Sequence, residues 1–179
     1  MGKNILVLSG SPRKGGTTDS LVSAFIEGAT GAGNAVTNIR VADLKIGGCL
    51  GCNHCFREEG VCVQKDDARQ ILDRMKESDA LVFASPIYFF GVTAQLKLAI
   101  DRTYALLSTG TPVKRAALLL TCGADSPGVT EPAIAMFRAV VNYQQWVEAG
   151  VVVAHGLHKP EDIKGRPELE QAKQIGINI

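Results

Sequence analysis

The sequence predicts an α/β domain in which five parallel strands form one doubly wound sheet with helices on both faces. Five apolar runs of strand length alternate along the chain with longer helical patterns. The 179 residues are 46% hydrophobic and 21% charged, which is the size and balance of a single domain with a substantial core. No internal repeat or low-complexity linker interrupts the alternation.

The elements of the first half follow from local patterns. Residues 3–9 are a short apolar run that predicts the first strand, and residues 17–31 predict a helix with its apolar side chains on one face. Residues 34–44 predict the second strand. Asp66 then opens a helix, and residues 79–86 predict the third strand.

The second half continues the same alternation. Residues 92–107 predict an amphipathic helix, 114–123 the fourth strand and 130–149 a long helix. Residues 150–156 predict the fifth strand, and residues 166–177 a terminal helix. In such sheets ligands bind beyond the carboxyl ends of the strands. The loops after the first, third and fourth strands are therefore the predicted binding loops.

The loop after the first strand, SGSPRKGGTTDS (residues 9–20), has the composition of a phosphate site. A helix N-terminus preceded by Gly and hydroxyl residues presents free backbone N–H groups and a positive dipole end. Gly16 stands where a nucleoside-triphosphate loop has Lys, and GxGxxG is missing, so a single terminal phosphate fits better. The alternative is a polar turn without a ligand. The candidate side chains are Ser9, Ser11, Arg13, Thr17 and Thr18.

The loops after the third and fourth strands are predicted to contact a ligand through aromatic rings and through backbone, respectively. The third strand ends in SPIYFFG, which places Tyr88, Phe89 and Phe90 where a ligand binds, while Gly91 allows close backbone approach. The alternative is that these rings pack in the core or at a subunit interface. In the loop after the fourth strand, the backbone of Cys122 and Gly123 faces a ligand, and the Cys122 thiol is predicted to be a small buried hydrophobe.

Four of the five cysteines occupy one short segment with the spacing C-x2-C-x2-C-x6-C: Cys49, Cys52, Cys55 and Cys62. The spacing begins like a bacterial ferredoxin run and departs from it after the third cysteine. Structural zinc, disulfides, or cysteines without any bound group are the alternatives. The three histidines are not predicted to be ligands: His54 is a solvent-facing loop residue, and His155 and His158 have no partner motif.

Charge and the N-terminal sequence exclude several classes of partner. The net charge is +1 and there is no basic stripe, so nucleic acid and anionic membranes are not expected partners. The first apolar run is too short for a signal peptide or a membrane span. We therefore expect a cytoplasmic protein, in which clustered cysteines serve metal binding or redox chemistry.

Three stretches together, SGSPRKGGTTDSL, GCLGCNHCFREEGVCVQKDD and SPIYFFGVTAQLKLAIDR, resemble the family of NAD(P)H-dependent FMN reductases and iron–sulfur flavoproteins. The resemblance spans nearly the whole chain and implies one flavodoxin-like FMN-binding domain over residues 1–179, with a cysteine-rich insertion at about 47–63. By this resemblance, the FMN phosphate is expected at Ser9, Ser11, Arg13, Thr17 and Thr18. The isoalloxazine ring is expected along Pro86, Ile87, Tyr88, Phe89, Phe90 and Gly91, with Cys122 and Gly123 on another side of it. The resemblance also implies that the [4Fe–4S] ligands are Cys49, Cys52, Cys55 and Cys62.

The resemblance also implies the function. We expect an FMN-dependent oxidoreductase that passes electrons from NAD(P)H or reduced ferredoxin to a small acceptor such as free flavin, a quinone, an oxygen species or a metal ion. No side chain is assigned as a general acid or base. The resemblance further implies that the chain forms a homodimer or a homotetramer. One alternative is an FMN-binding electron carrier or redox sensor without turnover of its own, and another is a nucleotide-binding domain whose cysteines hold zinc.

Overall fold

Five parallel strands form one sheet in the order β2-β1-β3-β4-β5. The computed structural model describes residues 2–179. Its strands are Asn4–Ser9 (β1), Ala35–Arg40 (β2), Ala80–Pro86 (β3), Arg115–Thr121 (β4) and Val147–Ala154 (β5). The predicted α/β class and doubly wound parallel sheet are confirmed.

The helices cover the sheet in two layers. They are Thr17–Gly31 (α1), His54–Arg57 (α2), Ala68–Met75 (α3), Ala94–Arg102 (α4), Glu131–Tyr143 (α5) and Pro167–Asn178 (α6). Side chains alternate between the faces of a strand. Leu6 and Leu8 of β1 therefore pack with α3, α4 and α5, while Ile5 and Val7 pack with α1 and α6. Among residues 2–179, no helix has the length and apolar character needed to cross a bilayer.

Helices α1 and α6 touch through their backbones. A Cβ atom at Gly28 of α1 would meet the carbonyl oxygen of Lys173, and one at Gly176 of α6 would meet that of Phe25. Both contacts are far inside van der Waals distance, so this helix pair requires glycine at both positions.

Several predicted boundaries are wrong. Helix α5 ends at Tyr143 rather than at residue 149, because Gln145 takes a left-handed conformation (φ 57°) and the Trp146 N–H donates to Val141 O at 3.0 Å. Strand β5 therefore begins at Val147 instead of residue 150. Strand β2 ends at Arg40 rather than at residue 44, because a short 3-10 turn follows it. Helix α4 ends at Arg102 rather than at residue 107, because a 3-10 turn follows there as well.

Candidate functional site

A cavity of about 290 Å³ lies beyond the carboxyl ends of β1, β3, β4 and β5. The parallel arrangement brings these strand ends to one edge of the sheet. Nine residues predicted for the site line it: Ser11, Arg13, Thr17, Thr18, Pro86, Ile87, Tyr88, Cys122 and Gly123. Four predicted residues do not line it: Ser9, Phe89, Phe90 and Gly91. The structure therefore brings the three predicted loops together around one space.

The N-terminus of α1 opens into this cavity without a side-chain cap. Gly16 occupies the N-cap position, so the first N–H groups of the helix have no side-chain acceptor there. The nearby Asp19 carboxylate is already engaged, because it accepts from Gly15 N–H at 2.8 Å and from Arg40 Nη1 at 2.8 and 2.9 Å. The positive end of the helix dipole, together with Arg13, suits an anionic group in the cavity.

Buried hydroxyl groups hold the binding loops in place. Thr18 Oγ1 lies 2.8 Å from Thr121 Oγ1, which joins α1 to the end of β4. Thr93 Oγ1 donates to Gly10 O at 2.8 Å, and Thr93 N–H donates to Ser85 Oγ at 3.0 Å. Ser9 lies beneath the first loop, and its buried hydroxyl has no partner within residues 2–179.

The aromatic loop after β3 divides its rings between the cavity and solvent. Tyr88 and Gly91 exchange backbone hydrogen bonds of 2.9 and 3.1 Å, which makes residues 88–91 a tight turn. Phe89 and Phe90 sit at its tip with φ of 48° and 67°, and Phe89 is 97% exposed. The centroids of their rings are 5.7 Å apart, and the ring planes meet at 76° in an edge-to-face arrangement. Only Tyr88 of the three rings lines the cavity.

The Cys122 thiol has a histidine partner that the sequence pattern does not show. Cys122 Sγ lies 3.2 Å from His155 Nδ1 and 3.2 Å from Ala124 O. Burial raises the pKa of Cys122, and the nearby Asp125 carboxylate acts in the same direction. The thiol is therefore neutral and packed, as the sequence predicts, and it contacts His155, which belongs to no sequence motif.

One wall of the cavity carries no recognisable motif in the sequence. Residues 157–160, which follow β5, line it together with Gly16 and Thr121. The His158 ring is 3.3 Å from the position that a Cβ on Gly123 would take. The available signal was topological: β5 is parallel to β4, so its carboxyl end must reach the same edge.

The four clustered cysteines line a second, much smaller cavity of about 20 Å³. All four are free thiols: Cys49 and Cys52 are exposed, Cys62 is half-buried, and Cys55 is buried. Burial raises the pKa of Cys55, and the neighbouring Cys62 and Cys49 raise it further. Across residues 2–179, no three His, Cys, Asp or Glu side chains are gathered closely enough to hold a metal ion.

A buried ion pair closes this cysteine segment (residues 47–63). Arg102 Nη1 donates to Asp66 Oδ2 at 2.6 Å and to Gly47 O at 2.9 Å, while Nη2 donates to Cys62 Sγ at 3.2 Å. Burial favours a higher pKa for Asp66, but hydrogen bonds from Arg102, Gly47 N–H and Ala68 N–H outweigh it and lower that pKa. The pair is therefore charged at neutral pH.

A family model for NADPH-dependent FMN reductases matches residues 3–158. The chain belongs to the NADPH-dependent FMN reductase family. The oxidoreductase class expected from the sequence is confirmed at the level of this family. The deciding match covers β1 to β5 and the loops after β1, β3 and β4 that line the 290 Å³ cavity, and it ends at His158, within the lining segment 157–160.

Relatives of this FMN reductase family member include iron–sulfur flavoproteins. One from Archaeoglobus fulgidus is 31% identical over 172 residues, which cover 95% of this chain and 76% of that protein. Another, from Methanocaldococcus jannaschii, is 42% identical over 102 residues, which are 57% of this chain and only 52% of the relative. A solved NAD(P)H:quinone oxidoreductase from Methanothermobacter marburgensis shares the fold, with a TM-score of 0.76 at 19% identity over 99% of this chain and 96% of that one.

The residues of this family member suit the groups that the family implies. The uncapped α1 N-terminus and Arg13 suit a phosphate, and Pro86, Ile87 and Tyr88 offer flat apolar surface for a ring. The cysteine segment offers four thiols, which is the donor set of an iron–sulfur cluster. The same four thiols are also the donor set of a structural zinc ion, and they are not gathered around one point within residues 2–179.

Proposed function

We propose that this protein binds FMN in the cavity at the carboxyl edge of the sheet and passes electrons from NAD(P)H or reduced ferredoxin to a small acceptor. The observation that carries the proposal is the uncapped α1 N-terminus, which opens into a cavity that is also lined by Pro86, Ile87 and Tyr88. When bound, FMN supplies both hydride and single-electron chemistry. The chain supplies binding, orientation and exclusion of water.

The first loop is the proposed phosphate site. Thr17 and Thr18 present the first backbone N–H groups of α1, and Arg13 adds a positive charge at the cavity wall. The Arg40 guanidinium neutralises Asp19, so that this carboxylate does not repel a phosphate dianion. Ser11 shapes the loop, because its Oγ exchanges hydrogen bonds with the backbone of Arg13.

The ring site is proposed between the loops that follow β3, β4 and β5. Pro86, Ile87 and Tyr88 form one wall, while Cys122 and Gly123 form another. The Cys122 thiol is neutral and engaged with Ala124 O and His155, so it contributes packing rather than proton transfer. No side chain at this site is assigned as a general acid or base.

We further propose that Cys49, Cys52, Cys55 and Cys62 hold a [4Fe–4S] cluster. Two facts support it: the four free thiols line one cavity, and the relatives named above are iron–sulfur flavoproteins. A cluster of four irons takes one thiolate at each iron. Binding would turn the exposed Cys49 and Cys52 inward toward Cys55 and Cys62.

Anaerobic purification followed by cofactor analysis tests both proposals. We expect released FMN, a flavin spectrum, iron with acid-labile sulfide, and NADH or NADPH oxidation with a quinone, free flavin or ferricyanide as acceptor. A colourless protein that carries zinc and no flavin would overturn the function. Flavin-loaded protein that exchanges electrons with reduced ferredoxin, yet oxidises neither nicotinamide with any acceptor, would replace the enzyme with an electron carrier.

Two matched variants test the phosphate site. Arg13 lines the cavity, whereas its neighbour Lys14 is exposed, pairs with Asp43 and lies outside the lining. Arg13→Ala should weaken FMN binding about tenfold, equivalent to ~1.4 kcal/mol, and Lys14→Ala should leave it unchanged. Equal effects in fluorescence titrations of the two variants would mean that general positive charge, and not this site, attracts FMN.

A further inference from the structure

Arg102 is a buried cation that contacts residues on both sides of the four clustered cysteines. Its side chain is 2% exposed. Nη1 donates to the carbonyl oxygen of Gly47, ahead of the first cysteine, and to Asp66, beyond the last one. Asp66 in turn accepts from Gly47 N–H at 2.9 Å, so the segment is closed into a loop and fastened to α4.

Arg102 also makes one cysteine different from the other three. Its Nη2 donates to Cys62 Sγ at 3.2 Å. Within residues 2–179, no side chain donates a hydrogen bond to the sulfur of Cys49, Cys52 or Cys55. Cys62 is thus the member of the cysteine segment whose sulfur lies against a fixed, desolvated positive charge.

A buried cation that donates a hydrogen bond to a ligand sulfur stabilises the more negatively charged state of the metal centre that the sulfur binds. The attraction is strong where water is excluded. Hydrogen bonds to sulfur and net charge are among the factors that set iron–sulfur potentials. Uptake of one electron adds one negative charge near Cys62 with no bond formed or broken, so Arg102 stabilises the reduced state.

We infer that Arg102 is a positioning residue that orients the Cys62 sulfur through its hydrogen bond and raises the reduction potential of the cluster. The inference rests on the cluster proposed above. The ion pair with Asp66 orients the Arg102 side chain. The carboxylate fixes the guanidinium through the 2.6 Å hydrogen bond from Nη1, and Nη2 of the same planar group is then directed at Cys62 Sγ.

Redox titration of the anaerobically purified holoprotein tests the inference, with dithionite as the reductant and EPR of the reduced cluster as the signal. Arg102→Met combined with Asp66→Asn removes both charges of the buried pair and so leaves no unpaired carboxylate. We expect this double variant to keep its iron and sulfide and to show a midpoint potential below that of the wild type. Asp66→Asn alone keeps the donor to Cys62, and its potential should not fall.

Two further variants separate the effect of the hydrogen bond from Arg102 to Cys62 from the effect of any nearby positive charge on the reduction potential. Lys97→Met removes a cation from the same helix, but Lys97 is half-exposed and paired with Asp101, so the potential should stay at the wild-type value. Arg102→Lys keeps the charge but has no planar fork to serve three acceptors, so its potential should fall between the wild type and the double variant.

The outcomes distinguish failure of the Arg102 inference from failure of the cluster proposal. Unshifted potentials in both Arg102 variants, with iron and sulfide retained, would overturn the role of Arg102 and leave the cluster standing. If the double variant loses its iron, the Arg102→Lys potential decides alone: a fall supports the inference and an unchanged value overturns it. A wild-type protein without iron and sulfide would overturn the cluster and the inference together.

Discussion

Phe89 and Phe90 occupy the tip of a turn that favours Asn and Gly. Both have positive φ (48° and 67°), a conformation that costs a side chain with a Cβ about 1–2 kcal/mol. Phe89 is 97% exposed, so little burial offsets the strain. We expect Phe89→Asn to raise the free energy of unfolding by about 1 kcal/mol, because Asn tolerates the left-handed region.

Urea unfolding of the Phe89→Asn variant measures that gain. Tyr143→Asn is the matched control, since Tyr143 is also exposed (74%) but lies in the regular backbone of α5. That substitution should leave stability unchanged or lower it. A Phe89→Asn midpoint at or below the wild-type value would show that the turn is not strained.

The same turn shows where residue-level prediction from sequence stops. The motif SPIYFFG correctly indicates a loop at the edge of the sheet, but the backbone conformation at the tip decides which rings reach the cavity. That conformation turns Phe89 and Phe90 toward solvent and leaves Tyr88 as a lining residue. Local composition does not contain this information, because nothing about two phenylalanines marks a positive φ.

At the scale of elements, the α1–α6 contact depends on glycine. A methyl group at Gly176 would overlap the backbone of Phe25, which cannot move without shifting the helix. Gly176→Ala should therefore destabilise the fold by about 1–3 kcal/mol. Gly31→Ala is the control at the end of α1, where a Cβ meets nothing within 4 Å, and it should be neutral or stabilise by about 0.5–1 kcal/mol. Equal unfolding midpoints for the two variants would contradict the close contact.

The start of α6 carries a pH-dependent contribution to stability. Arg166 donates to Glu168 at 3.0 and 3.2 Å, and these bonds lower the pKa of Glu168. Because the folded-state pKa lies below the unfolded one, this stabilisation is present above the unfolded value, about 4.3, and is lost as pH falls through the folded value.

Glu168→Gln should therefore be less stable than the wild type at pH 7, and the difference should shrink as the pH falls below about 4. Urea midpoints measured between pH 7 and pH 3 give this difference directly. Glu170→Gln controls for loss of one charge from the same helical turn, since Glu170 is exposed and accepts only from Gln174. A difference that stays constant over this range would exclude the Arg166 bond as the cause.

Element boundaries show the same limit of prediction from local sequence as the aromatic turn does. Where glycine marks a helix end, as after α1 at Gly33, the predicted and observed bounds agree. Helix α5 ends instead at Tyr143, and no Gly or Pro in the following Gln144–Gln145 signals a left-handed residue. Tertiary packing of Trp146 and the start of β5 determine the break.

At the scale of the whole molecule, the alternation of apolar strands and helices was sufficient to predict the parallel sheet and the edge that carries the cavity. The missing wall, residues 157–160, could not be found by motif because its residues have no phosphate or ring signature of their own. It enters the site only because β5 lies beside β4. Ligand contact is thus distributed over segments that are up to about 150 residues apart in sequence.

This distribution makes the proposed FMN binding a property of the entire fold. A ligand that contacts loops after β1, β3, β4 and β5 binds the folded state and has no site on the unfolded chain, so it stabilises by RT ln(1 + [L]/Kd), or about 4 kcal/mol at 1,000 times Kd. For a chain of this size, we expect FMN at that excess to raise the Tm of the apoprotein by about 8–16 °C. Riboflavin is the matched ligand, because it has the same ring and lacks the phosphate that the α1 N-terminus is proposed to bind. If riboflavin at equal concentration raises the Tm as much as FMN does, the phosphate contributes nothing, and the first loop does not have the role that its uncapped helix end indicates.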